Sequence, residues 1–190
     1  MHNKKILFRL LMAMALSLSA MTVRGADLAG VRMDDAMTVG KAHLVLNGIA
    51  LRTKYMFKIY VGALYLVKPM TQASTVIGSD TPKALVMQFL RDIKQSTMVE
   101  AYREAFANNA PALLAKEQAD VDRFLAFLPA VKEGERMQFV YEPGKGSTFS
   151  IGGSKNLTIP GKAFADLYLL VFIGPTPPTP EVKTGLLGGG

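Results

Sequence analysis

The 190-residue chain contains no cysteine, so it can form no disulfide, whatever its compartment allows. The same absence excludes a lipoprotein anchored through a thiol, because no cysteine follows the apolar run near the N-terminus. There are only two histidines, His2 and His43, and no Cys/His cluster that would hold zinc. A Ser-His triad would have to use His43, and no GxSxG elbow accompanies it. GKGST at 144–148 lacks the full spacing of a phosphate loop and sits in a hairpin pattern, so it reads as a turn. Asp34 and Asp35 read as a solvated loop rather than a metal or acid pair. No metal or cofactor site is predicted. Internal repeats are absent, and no stretch is long and apolar enough to span a bilayer.

What is present begins with a targeting pattern. MHNKKILFR carries three cations, LLMAMALSLSA is a short apolar run, and small or permitted residues precede Ala26. This order of basic, apolar and cleavable regions predicts a signal peptide over residues 1–25. The rival reading is an uncleaved anchor, but the run falls short of the ~18 residues a span requires. Cleavage would remove Lys4, Lys5, Arg9 and Arg24 and no acid. The 22 Lys and Arg would become 18 against 15 Asp and Glu, so a formal charge of +7 would fall to +3. That remainder is a poor electrostatic footprint for nucleic acid. The expected protein is exported, most simply to the periplasm, with no stable membrane insertion after cleavage.

Nearly half the residues are hydrophobic and 19% are charged, a globular balance with enough chain for one core. AMTVGKAHLVL (36–46) suggests short strands about the Gly40 and Lys41 turn, and Asn47 and Gly48 form a hairpin-turn dipeptide. A long strand follows, ending at Lys68 and Pro69. Its odd positions Tyr55, Phe57, Ile59, Val61, Ala63 and Tyr65 share one face and are predicted core. A strand is expected over 84–93. TMVE then places Thr97 as N-cap, with Glu100 completing a capping box. Helical spacing runs to Asn109 and again towards Leu128. A hairpin is read around 143–146, a turn at Gly152 and Gly153, a strand at 157–159 and a helix over 162–172. Strands with segregated helices predict an α+β fold, an antiparallel sheet with helices on one face. The domain is expected over 26–175, with a Pro/Gly-rich tail over 176–190, stiff at PTPPTP and loose at GLLGGG.

The segments LNGIALRTKYMFKIYVGALYL (46–66), FLRDI (89–93), EAFANN (104–109), FVYEPGKG (139–146), TIPGKAF (158–164) and GLLG (185–188) carry a resemblance. In their order and spacing they resemble the chalcone isomerase-like superfamily, nearest its bacterial secreted branch. The resemblance implies an open-faced β-sandwich, in which a large antiparallel sheet carries a helical layer. It also implies one of two activities. Plant members close a chalcone into a flavanone by intramolecular oxa-Michael addition. Non-enzymatic members bind fatty acids in the same cleft, with an arginine and a tyrosine on the carboxylate. Carried over by residue, Arg52 matches the cleft arginine of both groups. Tyr60 falls where the isomerases have a threonine and the fatty-acid binders their tyrosine. Tyr102 resembles the isomerase tyrosine on the helix, and Asn109 a substrate-contacting asparagine. Ala105 stands where those enzymes carry a lysine.

The chemistry of these residues favours binding. An arginine offers a planar fork of donors to a carboxylate, and a tyrosine hydroxyl adds one more. Behind an apolar wall this pair suits a fatty acid or similar small amphipathic carboxylate. The alternative is an isomerase with Arg52 as electrostatic stabiliser and Tyr102 and Asn109 as polar helpers. A third reading is an interaction protein with a vestigial cleft. The bland roles are a wet strand edge for Arg52, Lys54 and Lys58, core for Tyr60 and Tyr102, and a left-handed helix C-cap for Asn109. One geometric condition separates these readings. In a single extended strand Arg52 and Tyr60 would lie about 26 Å apart, so a shared headgroup requires the chain to turn between them.

Overall fold

A computed structural model of the chain describes residues 25–153 and 155–189; residues 1–24 of the predicted leader lie outside them. The sheet is a meander. Strands β3 (Ala36–Val39), β4 (Ala42–Lys54), β5 (Phe57–Leu66), β6 (Lys83–Phe89), β7 (Arg136–Glu142), β8 (Gly146–Ile151) and β9 (Lys155–Ile159) lie side by side in sequence order. Each is antiparallel to its neighbour. A separate two-stranded ribbon, β1 (Ala26–Leu28) with β2 (Val31–Met33), precedes them.

Both faces of the central strands are buried, so β5 and β6 show almost no polar alternation. On one face Val61, Ala63 and Tyr65 pack with Ala84, Val86 and the ribbon's Val31 and Met33. On the other, Leu64, Leu66, Leu85 and Phe139 meet the helices. These are α1 (Ala73–Gly78), α2 (Gln95–Asn109), α3 (Pro111–Lys116), α4 (Gln118–Phe127), α5 (Ala163–Ile173) and α6 (Pro180–Leu186). Helix α5 buries Phe164, Leu167, Tyr168 and Phe172 among others, and Tyr168 lies tilted over Phe139 at 4.6 Å and edge-on to Phe149 at 4.9 Å. The α+β architecture is the one expected.

Four local expectations are corrected. Asn47 and Gly48 do not turn the chain; they form a bulge inside the 13-residue β4, where the register slips between Leu46 and Gly48. The Asn47 amide explains why: its Nδ2 donates to Leu186 O at 2.8 Å, and its Oδ1 accepts from Met70 N at 2.7 Å. The hairpin turn falls instead at Tyr55 and Met56, between paired Lys54 and Phe57. Tyr55 and Phe57 are therefore exposed, whereas Val61, Ala63 and Tyr65 are core as predicted. Helix α2 starts at Gln95, with Lys94 extended before it, so Thr97 lies within the first turn and caps nothing. Finally, the tail is not loose. Thr179 caps α6 by accepting from Val182 N, and Val182, Leu186 and Leu187 are buried in the main core, so the domain runs past residue 175.

Candidate functional site

Because β4 and β5 are joined by a two-residue turn, Arg52 and Tyr60 become direct cross-strand partners. Opposed residues in such a pair stand about 5 Å apart at Cβ, not ~26 Å. A second register shift, between Arg52 and Thr53, leaves Ile59 as the extra residue on β5 beside them. The geometric condition set by the sequence is met.

Tyr60 is 6% exposed and belongs to the helical face of the sheet, with its ring edge-on to Phe89 at 6.3 Å. Its hydroxyl is buried and finds no hydrogen-bond partner among the described residues; the same is true of Arg52 Nε. Burial pushes the Tyr60 hydroxyl up to about 12, and the nearby Arg52 cation works against that rise. Arg52 is thus close enough to act on the hydroxyl electrostatically, although no bond of good geometry closes between them. Buried polar groups are seldom left unpaired in native folds. Two together, one cationic and one a neutral donor, mark a place where an acceptor fits.

The pair lines a cleft of ≈ 800 Å³ between the β4–β5 hairpin, β6 and α2. Ile59, Met87, Phe89, Met98, Val171 and Phe172 supply apolar lining, and Ala105 lines it where a lysine is absent. Arg91 stands over the Phe57 ring at 4.4 Å, on the hairpin side of the same cleft. A volume of this size, with an apolar interior beside Arg52 and Tyr60 and a charged border that includes Lys54, Arg91, Asp92, Glu100 and Glu104, is that of a small-molecule site. Among the described residues no cluster of three or more His, Cys, Asp or Glu side chains could hold a metal.

The other two sequence candidates are occupied elsewhere. Tyr102 lines the cleft and is 8% exposed, but its hydroxyl lies 3.2 Å from that of Tyr168 and 3.8 Å from Met137 Sδ. Burial raises both phenols well above their ordinary range. Asn109 braces the C-terminal segment: Nδ2 donates to Ala105 O at 2.9 Å and Thr176 O at 2.8 Å, and Oδ1 accepts from Thr176 N at 2.9 Å. It is the last residue of α2 and does not adopt the left-handed C-cap conformation expected of it. The structure therefore brings Arg52, Tyr60 and Tyr102 to one cleft and leaves Asn109 behind its wall. Sequence reasoning missed Arg91 and Tyr168; Arg91 stands in FLRDI, but nothing there places it beside Phe57.

Comparison with known proteins agrees with this architecture. The family model described as chalcone isomerase-like matches residues 25–188. Among solved structures, the fatty-acid binding protein AtFAP1 of Arabidopsis thaliana superposes with a TM-score of 0.68 at 12% identity, covering 87% of this chain and 96% of that one. That likeness is one of fold. No curated protein matches the chain in sequence.

Proposed function

Since the chain belongs to the chalcone isomerase-like family, we propose that it binds a small amphipathic carboxylate, foremost a fatty acid, and does not turn it over. One observation carries the reading: Arg52 and Tyr60 face each other across paired strands, with Arg52 Nε and the Tyr60 hydroxyl buried and unpartnered in an apolar cleft. A carboxylate supplies the acceptors that both lack, and the cleft wall takes the alkyl chain. The hydrogen bonds to its charge are worth about 1.5–3 kcal/mol each. The similarly folded Arabidopsis protein is itself a fatty-acid binder. The isomerase reading has less support. The Tyr102 hydroxyl is engaged with Tyr168, the Asn109 amide with Thr176, and Ala105 offers no cation. The proposal includes export to the periplasm, from the N-terminal targeting pattern, and membership of the secreted bacterial branch of the family.

The test is native mass spectrometry of gently purified protein, followed by thermal shift with added fatty acids. Co-purifying lipid acids and a concentration-dependent rise in the midpoint are expected, and Arg52→Leu should remove most of that rise. If no acid co-purifies and none shifts the midpoint, the binding reading is wrong.

A further inference from the structure

The β4–β5 hairpin holds a second feature that ligand binding does not explain. Among the described residues the exposed large hydrophobic side chains are consecutive: Tyr55 at 90%, Met56 at 94% and Phe57 at 57%. Single exposed apolar residues are ordinary, but three at one turn are not. The backbone sharpens the point. Tyr55 has φ of 56°, a left-handed conformation that two-residue hairpin turns normally give to glycine, asparagine or aspartate. An aromatic side chain stands at the tip despite that strain.

Charge supplies the complement. No acidic residue occurs between Asp35 and Asp80, a stretch that contains the whole hairpin. Within it Lys54 and Lys58 flank the apolar tip, are exposed, and make no ion pair among the described residues. Arg91 adds its cation over Phe57. The acids that line the cleft are Asp92, Glu100 and Glu104; none lies on the hairpin, the two glutamates belong to α2, and Asp92 is paired with Lys132 at 2.7 Å. Three such side chains offer roughly 500 Å² of contact, below the ~800 Å² per partner of a stable protein interface. Shallow insertion among lipid headgroups needs no more than this, with cations reaching the phosphates around it.

We propose that the tip of the β4–β5 hairpin docks on the surface of an anionic lipid bilayer, with Tyr55, Met56 and Phe57 inserted and Lys54, Lys58 and Arg91 on the headgroups. Lys54, Tyr55 and Phe57 also line the cleft, so docking sets the cleft against the membrane. In this it rests on the ligand reading above only for its purpose, not for its occurrence.

The test is co-sedimentation of the purified protein with phosphatidylcholine vesicles containing about one third phosphatidylglycerol, at about 0.1 M and about 0.5 M salt. Binding should weaken at the higher salt and on pure phosphatidylcholine. Met56→Ser with Phe57→Ser should weaken it about tenfold, and Lys54→Glu with Lys58→Glu should abolish the preference for anionic vesicles. Tyr55→Gly guards against misfolding: it relaxes the turn, so the thermal midpoint should hold or rise while vesicle binding falls. Variants and wild type carry the same N-terminus, so its contribution cancels. Arg52→Leu should dock normally, and the single changes Met56→Ser and Lys58→Glu, at tip residues that do not line the cleft, should weaken docking and keep the affinity for soluble fatty acid; the two readings therefore fail separately. Wild type that ignores anionic vesicles, tip variants that bind them undiminished, or a tip that mediates only self-association would each overturn the proposal.

Discussion

Replacing Tyr60 by phenylalanine should strengthen the empty protein and weaken the loaded one. The ring stays, with its edge-on contact to Phe89, and only the hydroxyl goes. That hydroxyl is buried without a partner, and such a group costs about 1–3 kcal/mol of desolvation. Tyr60→Phe should therefore raise the unfolding free energy of ligand-free protein by about 1 kcal/mol, or roughly 2–4 °C in midpoint for a chain of this size. Binding should move the other way. The hydroxyl ionises only near pH 12, so at ordinary pH it is a constant donor to a carboxylate. Losing one bond to a charged acceptor, about 1.5–3 kcal/mol, weakens affinity roughly ten- to a hundredfold. Urea unfolding of delipidated protein gives the first quantity, and calorimetric titration with a fatty acid gives the second. A Tyr60→Phe protein that is less stable when empty, or that binds as tightly as wild type, would refute the assignment of Tyr60 as an unsatisfied ligand donor.

Other residues give independent checks. A Cβ on Gly48 would press on Gly185 O and lie 2.8 Å from Gly188 N and Leu186 O, all backbone, so Gly48→Ala should cost roughly 2–3 kcal/mol in urea unfolding and loosen α6. Lys83 is 1% exposed, donates to Val76 O, Ser79 O and Ser79 Oγ, and is pulled down to about 8, first by burial and then by Lys162. Below pH 8 it is charged in both states; between about 8 and 10.5 the unfolded chain holds the proton more often, so stability should rise across that window. Lys83→Met should flatten the rise; a wild-type urea midpoint that is flat or falling from pH 8 to about 9.5 contradicts this. Asn109→Ala should cost about 1–2 kcal/mol and speed hydrogen exchange in the segment at 174–178. Chalcone turnover lost in Asn109→Ala without a change in stability would instead favour the isomerase role.

Much of the fold was legible because periodicity reports burial. Val61, Ala63 and Tyr65 alternate as one face of a strand must, and the helices over 95–127 and 163–173 announce themselves by spacing. The turn was illegible because its chemistry runs against the rule. RTKYM contains no glycine, proline, asparagine or aspartate, while the neighbouring Asn47 and Gly48 advertise a turn they do not make. Tertiary contacts decide the turn not made, because α6 claims Asn47 and Gly48; the turn that is made is local, Tyr55 accepting a left-handed backbone at the exposed tip. The site followed the same division. Arg52 and Tyr60 could be picked out by type, but only the misplaced turn brings them opposite each other. Asn109 looked like a site residue because it resembles the family's substrate-contacting asparagine; its partner Thr176, 67 residues on, carries no local signal.

The meander has a consequence for the order in which the molecule is completed. Each strand of the large sheet pairs with its neighbours in sequence, so the sheet can grow in step with a chain emerging from a ribosome. The Asn47 bulge cannot. Its amide waits for Leu186, 139 residues later. Until then the bulge in β4 lacks that partner, and the hairpin that aligns Arg52 with Tyr60 is tied down on one side only. The arrangement makes the docking of α6 the step that closes the sheet's bulge, and a chain halted before Leu186 keeps its strands but not its latch.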